Sequence, residues 1–341
     1  MANISLLTIH WGLSYGAVMQ TYATVKLLEQ KGHKVSVINL IHPSMRRFYF
    51  KLRSWLLLVM DLQFLVFKKR YFSHLTSKMY KIERKRLPKD IDYFVIGADQ
   101  VWNRDLTSPI DLFFFVNFNE NIKRVSLASS FGKDNWNEDE NYTKAIKSLL
   151  LKFNALSVRE DTGHSILKNV FELDSACLVD PTLAYGEFDE LLVDDRIRND
   201  IYTFFVSRSS EYGECADLIS RELNLPLFKH TKYSFYFKNS PRNWLTYIRN
   251  ASAVITDSFH GVVFSIIFKK QFFCLWGERS KSTRVTSLLN LLGLKDRYIE
   301  SVEDYMGRKE QIHSSIDYTE VDKVLMVERA KFHDFVGRYI K

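Results

Sequence analysis

The stretch Ile4-Ser5-Leu6-Leu7-Thr8-Ile9, continued by His10-Trp11-Gly12-Leu13-Ser14-Tyr15-Gly16 and then by Ala17 to Gln30, decides the fold class. A short, mainly apolar run of strand length enters a loop with two glycines four apart. Beyond the loop, Val18, Thr21, Tyr22, Val25 and Leu28 recur at helical spacing, and Gly32 ends the helix. Val35-Ser36-Val37-Ile38 then returns as a second strand. This is a Rossmann-like β-α-β unit. Its loop lacks the G-x-G-x-x-G spacing, so no dinucleotide fingerprint is present.

Outward from this unit the alternation continues. Tyr93-Phe94-Val95-Ile96 stops at Gly97 as a buried strand does. Val125 to Ser129 and Ala155 to Val158 read as further strands, separated by a helix from about Asp139 to Phe153. Turn residues and acids around Gly186 and Asp194-Asp195 place a boundary within Leu183 to Asp200. Strands then come at Ile201 to Val206, Leu225 to Lys229, Ala253 to Thr256 and Phe272 to Leu275. The helices among them are Tyr212 to Leu223, Pro241 to Asn250, one from Val262, and one ending at Leu292. Val321, Val324, Leu325, Phe332, Phe335, Val336 and Tyr339 fall on one stripe of a terminal helix. The expectation is an α/β protein with two Rossmann-like domains facing a central cleft, a glycosyltransferase-B-like architecture. Residues 1–185 form the first domain, with a basic amphipathic helical insert at about 44–88, and residues 195–318 the second. A helix over 319–341 is expected to pack across the domain seam.

The 341 residues suit two domains, and 46% hydrophobic with 26% charged residues is a globular composition. Cys177, Cys215 and Cys274 are odd in number and far apart. They offer neither a disulfide framework nor a metal spacing, which suits a reducing cytosol. Met1-Ala2-Asn3-Ile4-Ser5 has no basic n-region or long apolar h-region, so no secretory signal is expected. Trp55 to Phe67 is interrupted by Asp61 and Gln63. It is also shorter than the roughly 20 residues a spanning helix needs. A cytoplasmic chain is expected, peripheral at most to the inner face of the cytoplasmic membrane.

The net charge of +8 is uneven. Arg46 to Arg86 holds twelve Lys or Arg against Asp61 and Glu83, a net +10, which leaves the other 300 residues at −2. Basic charge confined to one apolar-rich stretch argues against nucleic acid as a partner. Phe48, Tyr49, Phe50, Trp55, Leu56, Leu57 and Phe64 interleave with those charges. A basic amphipathic helix pair over residues 46–86, resting on anionic lipid headgroups, has this pattern. A hairpin with a solvated basic face, or one gripping an acceptor's diphosphate, has it too.

Three strand ends carry residues suited to chemistry. In Thr256-Asp257-Ser258-Phe259-His260-Gly261 a strand runs out into a helix whose free N–H groups make an anion site. His260 there suits a general acid or base. A cap by Asp257 or Ser258 beside a structural histidine fits equally. In Ser157-Val158-Arg159-Glu160-Asp161 the arginine can clamp a phosphate or carboxylate, or pair with Glu160 or Asp161. Gly97-Ala98-Asp99-Gln100-Val101-Trp102-Asn103 combines carboxylate, amides and indole as sugar sites do, or is a turn with Trp102 in the core. Arg284, in Ser282-Thr283-Arg284-Val285, offers a further cation at a helix start.

Five segments in order resemble the polysaccharide pyruvyl transferase family over residues 4 to about 294. They are His10 with Ser14-Tyr15-Gly16-Ala17-Val18-Met19-Gln20; Val95 to Asn103; and Ala128-Ser129-Ser130-Phe131-Gly132. The fourth is Ser157 to Glu160 with Val179-Asp180-Pro181-Thr182-Leu183, and the fifth Thr256 to Gly261 together with Arg284. The resemblance implies phosphoenolpyruvate as donor substrate and two hydroxyls of one sugar as acceptors, joined as a ketal. With the basic segment, a polyprenyl-diphosphate-linked acceptor in capsular or cell-surface polysaccharide biosynthesis is the expected partner, and neither metal nor organic cofactor is required. His260 is then the acid/base, oriented through Asp257 or Ser258. Arg159 and Arg284 hold phosphate and carboxylate, and Gly261 adds N–H donors. His10, Ser14, Tyr15 and Gly16 contribute loop contacts, and Asp99, Gln100, Trp102 and Asn103 contact the acceptor. The chain departs from the family at Ser14, where Asn is frequent, and at Ser240, where Gly often precedes the proline. It also has Ser258-Phe259-His260 where many members carry Arg-Leu-His, with Arg284 as the substitute cation. A nucleotide-sugar glycosyltransferase of the two-Rossmann type and a non-catalytic carbohydrate-binding module are the competing readings.

Overall fold

The computed structural model describes residues 1–45, 55–119, 121–207, 209–229, 237–276 and 279–341, with backbone alone at 55–56 and 279–282. The chain divides into two units, Met1–Tyr185 with Val327–Lys341, and Gly186–Met326. The terminal helix Tyr318–Tyr339 has its first residues in the second unit and the remainder in the first.

The first unit is built on a parallel sheet of β1 (Asn3–Leu7), β2 (Lys34–Val37), β3 (His74–Leu75), β4 (Tyr93–Ile96) and β5 (Lys123–Ser126), in the order β3-β2-β1-β4-β5. β6 (Ser157–Val158) and β7 (Ala176–Cys177) pair in parallel, and the bridges Val125↔Ala155 and Ser129↔Val158 join them to the β5 side. Leu6 of β1 lies opposite Val37 on one side and Val95 on the other, so the winding reverses at β1. Ligand loops open at the carboxyl ends of strands flanking such a reversal. All four residues of β4 are buried, as a parallel strand covered on both faces requires.

Ser14 caps the helix Tyr15–Gln30 by accepting the Ala17 N–H at 3.4 Å. Thirteen of its sixteen residues are buried, because neighbouring helices cover the side turned from the sheet. Tyr15 meets Phe64 with ring centroids 5.1 Å apart, and Tyr22 meets Phe67 at 6.4 Å and Tyr185 at 5.8 Å. Burying a ring such as Phe64 contributes about 1.5–3 kcal/mol. The helix's polar residues tolerate burial by bonding to its own backbone: Thr21 donates to Ala17 O and Thr24 to Gln20 O.

The first part of the expected basic helix pair, residues 46–54 with Phe48, Tyr49 and Phe50, lies outside the described residues, as do the side chains of Trp55 and Leu56. Among the described residues of the insert, the helix Trp55–Tyr71 leads into β3, which extends the sheet beyond β2. Phe64 and Phe67 are buried, while Leu58, Leu62, Leu65 and Val66 are exposed, so this helix is apolar on both sides. Its charges gather in the last turn as Lys68, Lys69 and Arg70, where they complement the helix dipole. No helix among the described residues is long and apolar enough to cross a membrane.

The second unit has the parallel sheet β8 (Ile201–Phe204), β9 (Ala253–Thr256), β10 (Gln271–Leu275) and β11 (Tyr298–Ile299), in the order β11-β10-β9-β8. The expected strand over Leu225 to Lys229 is reduced to a single bridge, Leu227↔Ile201. Ser240 caps the helix Pro241–Asn250, with proline at its first position, where a missing N–H is harmless. That helix buries Trp244 against Phe204 and Phe264. The helix Phe259–Ile267 is buried from Phe259 through Ile266 and starts hard against the end of β9. A Cβ on Gly261 would lie 2.4 Å from Thr256 Oγ1, so only glycine fits there. We predict that Gly261→Ala destabilises the protein by about 1–3 kcal/mol in urea denaturation. Combining it with Thr256→Ala should give less than the sum of the two single effects.

Candidate functional site

At the end of β1 in the first unit, one hydrogen-bonded bracket ties the loop to its neighbours. Thr8 Oγ1 donates to Ala98 O at 2.8 Å, and Gln20 Nε2 lies 2.9 Å from Thr8 Oγ1 and 3.0 Å from both Ile9 O and Ala17 O. This joins the loop after β1, the helix Tyr15–Gln30 and the loop after β4. His10 is fully buried within that bracket, with Nε2 3.1 Å from Ile38 O and its ring edge-on to Phe72. Burial, reinforced by the Lys68 charge, pushes His10 down to about 4. At neutral pH it is an uncharged imidazole. Tyr15 and Gly16 lie buried in the first helical turn, and Ser14 acts as its cap.

The loop after β4 is organised from within. Asp99 has φ of +74°, an unusual conformation for a non-glycine residue. It is held there by bonds from Gln100 N to Asp99 Oδ1 at 2.9 Å and from Ser130 N to Asp99 O at 3.0 Å. Asn103 caps the helix Arg104–Thr107 through Oδ1 and donates from Nδ2 to Gln100 Oε1 at 2.8 Å. Gly132 sits directly against the Gln100 side chain. Trp102 is not the sugar platform its neighbours suggest. It is 2% exposed, stacked on Phe115 and packed on Phe131, and its Nε1 donates to Phe114 O at 3.2 Å. The loop's polar ends are satisfied locally, so the indole is free to serve the core.

Arg159 likewise departs from a phosphate clamp. Its side chain is 2% exposed, with Nη1 2.6 Å from Asp180 Oδ2, Nε 3.7 Å from Glu160 Oε2 and Nη2 3.8 Å from Asp99 Oδ1. The expected pairing with Glu160 is present, but the shortest contact is with Asp180. Asp180 Oδ1 in turn accepts from Thr182 N and Oγ1, and Glu160 Oε1 accepts from Ser130 Oγ at 2.6 Å. One buried cation thus holds three strand-end loops together. Asp99, at 15%, is the most exposed carboxylate of the cluster. Asp180 and Ser130 were given no role by sequence reasoning; the Asp-Pro-Thr run, a helix-start signal, marks Asp180 as a cap but not as an arginine partner.

In the second unit the strand-to-helix junction after β9 is capped by Ser258, whose Oγ accepts the Gly261 N–H at 3.4 Å. Asp257 is committed to the loop after β8, accepting from Val206 N at 2.6 Å and Ser207 N at 2.7 Å. That is a different task from orienting His260. The His260 ring lies 5.1 Å from Phe259, edge-on, and is 8% exposed. The Arg284 guanidinium lies 5.9 Å from the same Phe259 ring. Its helix, Arg279–Leu291, begins earlier than expected, so Arg284 is inside the helix and not at its start. The polar strand end, histidine, helix N-terminus and arginine of one unit thus gather around Phe259.

The family model for polysaccharide pyruvyl transferase matches residues 15–279 of the chain. The chain belongs to the polysaccharide pyruvyl transferase family. The match spans the strand-end segments described above except the end of β1 from Thr8 to Ser14, and Arg284, which lie outside it. No curated protein matches this pyruvyl transferase family member by sequence. Among solved structures it is similar to Arabidopsis thaliana UGT89C1, at 10% identity, TM-score 0.52 and full coverage of both chains. It is also similar to the UDP-GlcNAc 2-epimerase of Neisseria meningitidis bound to UDP-GlcNAc. That match has 8% identity and TM-score 0.50, over 100% of this chain and 99% of the other. At such identities the likeness is one of fold, a mixed α/β chain with two Rossmann-like, glycosyltransferase-B-like halves.

The buried groups of this pyruvyl transferase can be tested through stability. Because native His10 titrates at about 4 against its ordinary 6.5, the unfolded chain binds the extra proton first as pH falls. His10 therefore withdraws about 3 kcal/mol of stability between pH 6.5 and 4. His10→Asn should flatten that part of the stability profile in denaturant titrations. Asp180→Ala leaves the Arg159 charge buried beside weaker partners and should cost about 3–5 kcal/mol in the same assay.

Proposed function

We propose that the chain transfers the pyruvyl unit of phosphoenolpyruvate to two hydroxyls of one sugar, releasing phosphate and leaving a cyclic ketal. What supports this most is the capped helix start where His260 and Arg284 share Phe259 as a neighbour. The donor carries about three negative charges, two of them on phosphate, and calls for cations and N–H donors. A helix N-terminus with an arginine supplies both.

The reaction balances without an oxidant. An acid, assigned to His260, delivers a proton to the donor's methylene carbon, which becomes the methyl group. The adjacent carbon gains oxocarbenium character, and the first sugar hydroxyl adds to it and gives up its proton. The carbon–oxygen bond to phosphate breaks, and the second hydroxyl adds with loss of its proton. Of the two hydroxyl protons, one replaces that given to the methyl carbon and the other leaves with phosphate. Arg284 and the amides at Gly261 offset the charge on the departing phosphate. Arg159, engaged by Asp180, is assigned to positioning Asp99, and Asp99 with Gln100 to reading acceptor hydroxyls.

The acceptor in this proposal is a lipid-linked precursor of a capsular or cell-surface polysaccharide, met at an anionic membrane surface. Exposed Leu58, Leu62, Leu65 and Val66 beside Lys69 and Arg70 support that contact. The test is phosphate release from phosphoenolpyruvate with a panel of lipid-linked hexose acceptors. His260→Ala should lower kcat by roughly 10²–10⁴-fold. Arg284→Gln should raise the KM for phosphoenolpyruvate by about tenfold or more. A His260→Ala protein with full turnover removes the histidine from the chemistry.

A further inference from the structure

The first unit contains a cavity of about 300 Å³ between the loops after β1 and β2 and the helix Trp55–Tyr71. Trp11 from the end of β1, Asn39 from the end of β2, Asp61, Leu62 and Lys68 from the helix Trp55–Tyr71, and Lys78 beyond β3 all line it. Its polar groups are unusual for a structural gap. Asp61 Oδ2 is enclosed and accepts no hydrogen bond among the described residues. Burial raises Asp61 above the ordinary carboxylate range and lowers Lys68 to about 8. An enclosed carboxylate oxygen with no donor costs stability unless something else binds it.

The remaining wall is apolar and open. Leu58, Leu62 and Leu65 line the cavity and are 55%, 57% and 39% exposed. Spaced at i, i+4 and i+7, they form a stripe on one helix face. A small polar ligand has no use for three exposed leucines beside two ammonium groups, whereas an amphiphile has.

We propose that this cavity binds the phosphate-linked sugar of an acceptor carried on an apolar chain. Lys68 and Lys78 pair with the phosphate, Asp61 and Asn39 take hydrogen bonds from sugar hydroxyls, and the Trp11 ring covers a sugar face. The leucine stripe receives the first units of the chain as it leaves toward a bilayer. The inference rests on the lipid-linked acceptor proposed above and adds where that acceptor is held.

Calorimetric titration of the full-length protein with farnesyl diphosphate and with inorganic diphosphate tests it. Farnesyl diphosphate should bind at least tenfold more tightly. Lys68→Gln with Lys78→Gln should weaken both probes tenfold or more, and Leu58→Ser with Leu62→Ser should weaken the farnesyl probe alone, with unchanged circular dichroism in each variant. Equal affinity for the two probes overturns the proposal, as does a double-lysine variant that binds farnesyl diphosphate like the parent. Turnover of phosphoenolpyruvate in the same preparations separates the two ideas. Selective binding without turnover upholds the cavity and removes the reaction, whereas turnover on lipid-linked sugar with no selective binding removes the cavity alone.

Discussion

A parallel strand covered on both faces leaves little room for charged or reactive side chains along its length, and β4 and β9 of this protein carry none. β4 is buried throughout, and β9 is buried through Thr256. Groups that can do chemistry are therefore displaced to the carboxyl ends, where the chain must turn into a helix. The turns are tight. Gly97 cannot carry a Cβ beside Thr8, nor Gly261 beside Thr256, so backbone approach at these two points sets the position of the loop residues beyond them.

The second consequence concerns charge. Arg159 is withdrawn from solvent and so must be paired, because an isolated guanidinium in the interior is far more expensive than a paired one. Asp180 supplies the short contact, and Glu160 and Asp99 complete the surroundings. The pairing converts an apparent ligand clamp into the joint that holds the loops after β4, β6 and β7 in one register. Asp99, bent into a positive φ and partly exposed, is the group that this joint presents outward. Asp257 obeys the same logic in the second unit, where its carboxylate fastens the loop after β8 while Ser258 caps the helix.

Much of this is legible in the residues. The strand Ile4 to Ile9 with its helix, the run Tyr93 to Ile96 and the junction at Thr256 all carry strong periodicity ended by glycine or a capping residue, and the family motifs fall on those ends. Less can be read where packing overrides local chemistry. Trp102 sits among polar neighbours and looks like a sugar contact, but three aromatic rings draw it inward. The register of Arg284 escapes sequence reading because the first turn of its helix, Arg279 to Ser282, has no apolar periodicity to announce it. The strand His74-Leu75 is too short to leave a signal and exists because β2 offers it an edge. The helix Trp55–Tyr71 carries apolar residues on both sides, and alternation alone does not say which side meets the protein.

The insert extends the same constraint. A helix laid against Tyr15 and Tyr22 seals the first helix of the fold, and its outward Leu58, Leu62 and Leu65 line a cavity with Trp11 and Asn39 at the ends of β1 and β2. The proposed function stands on the transfer of a three-carbon unit with cleavage of its bond to phosphate. The most direct measurement is carbon-13 NMR of the product formed from phosphoenolpyruvate labelled at its central carbon. The label should move from an olefinic carbon to a quaternary ketal carbon bonded to two sugar oxygens. Label recovered as unreacted donor or as free pyruvate, with the sugar unlabelled, would contradict the transfer.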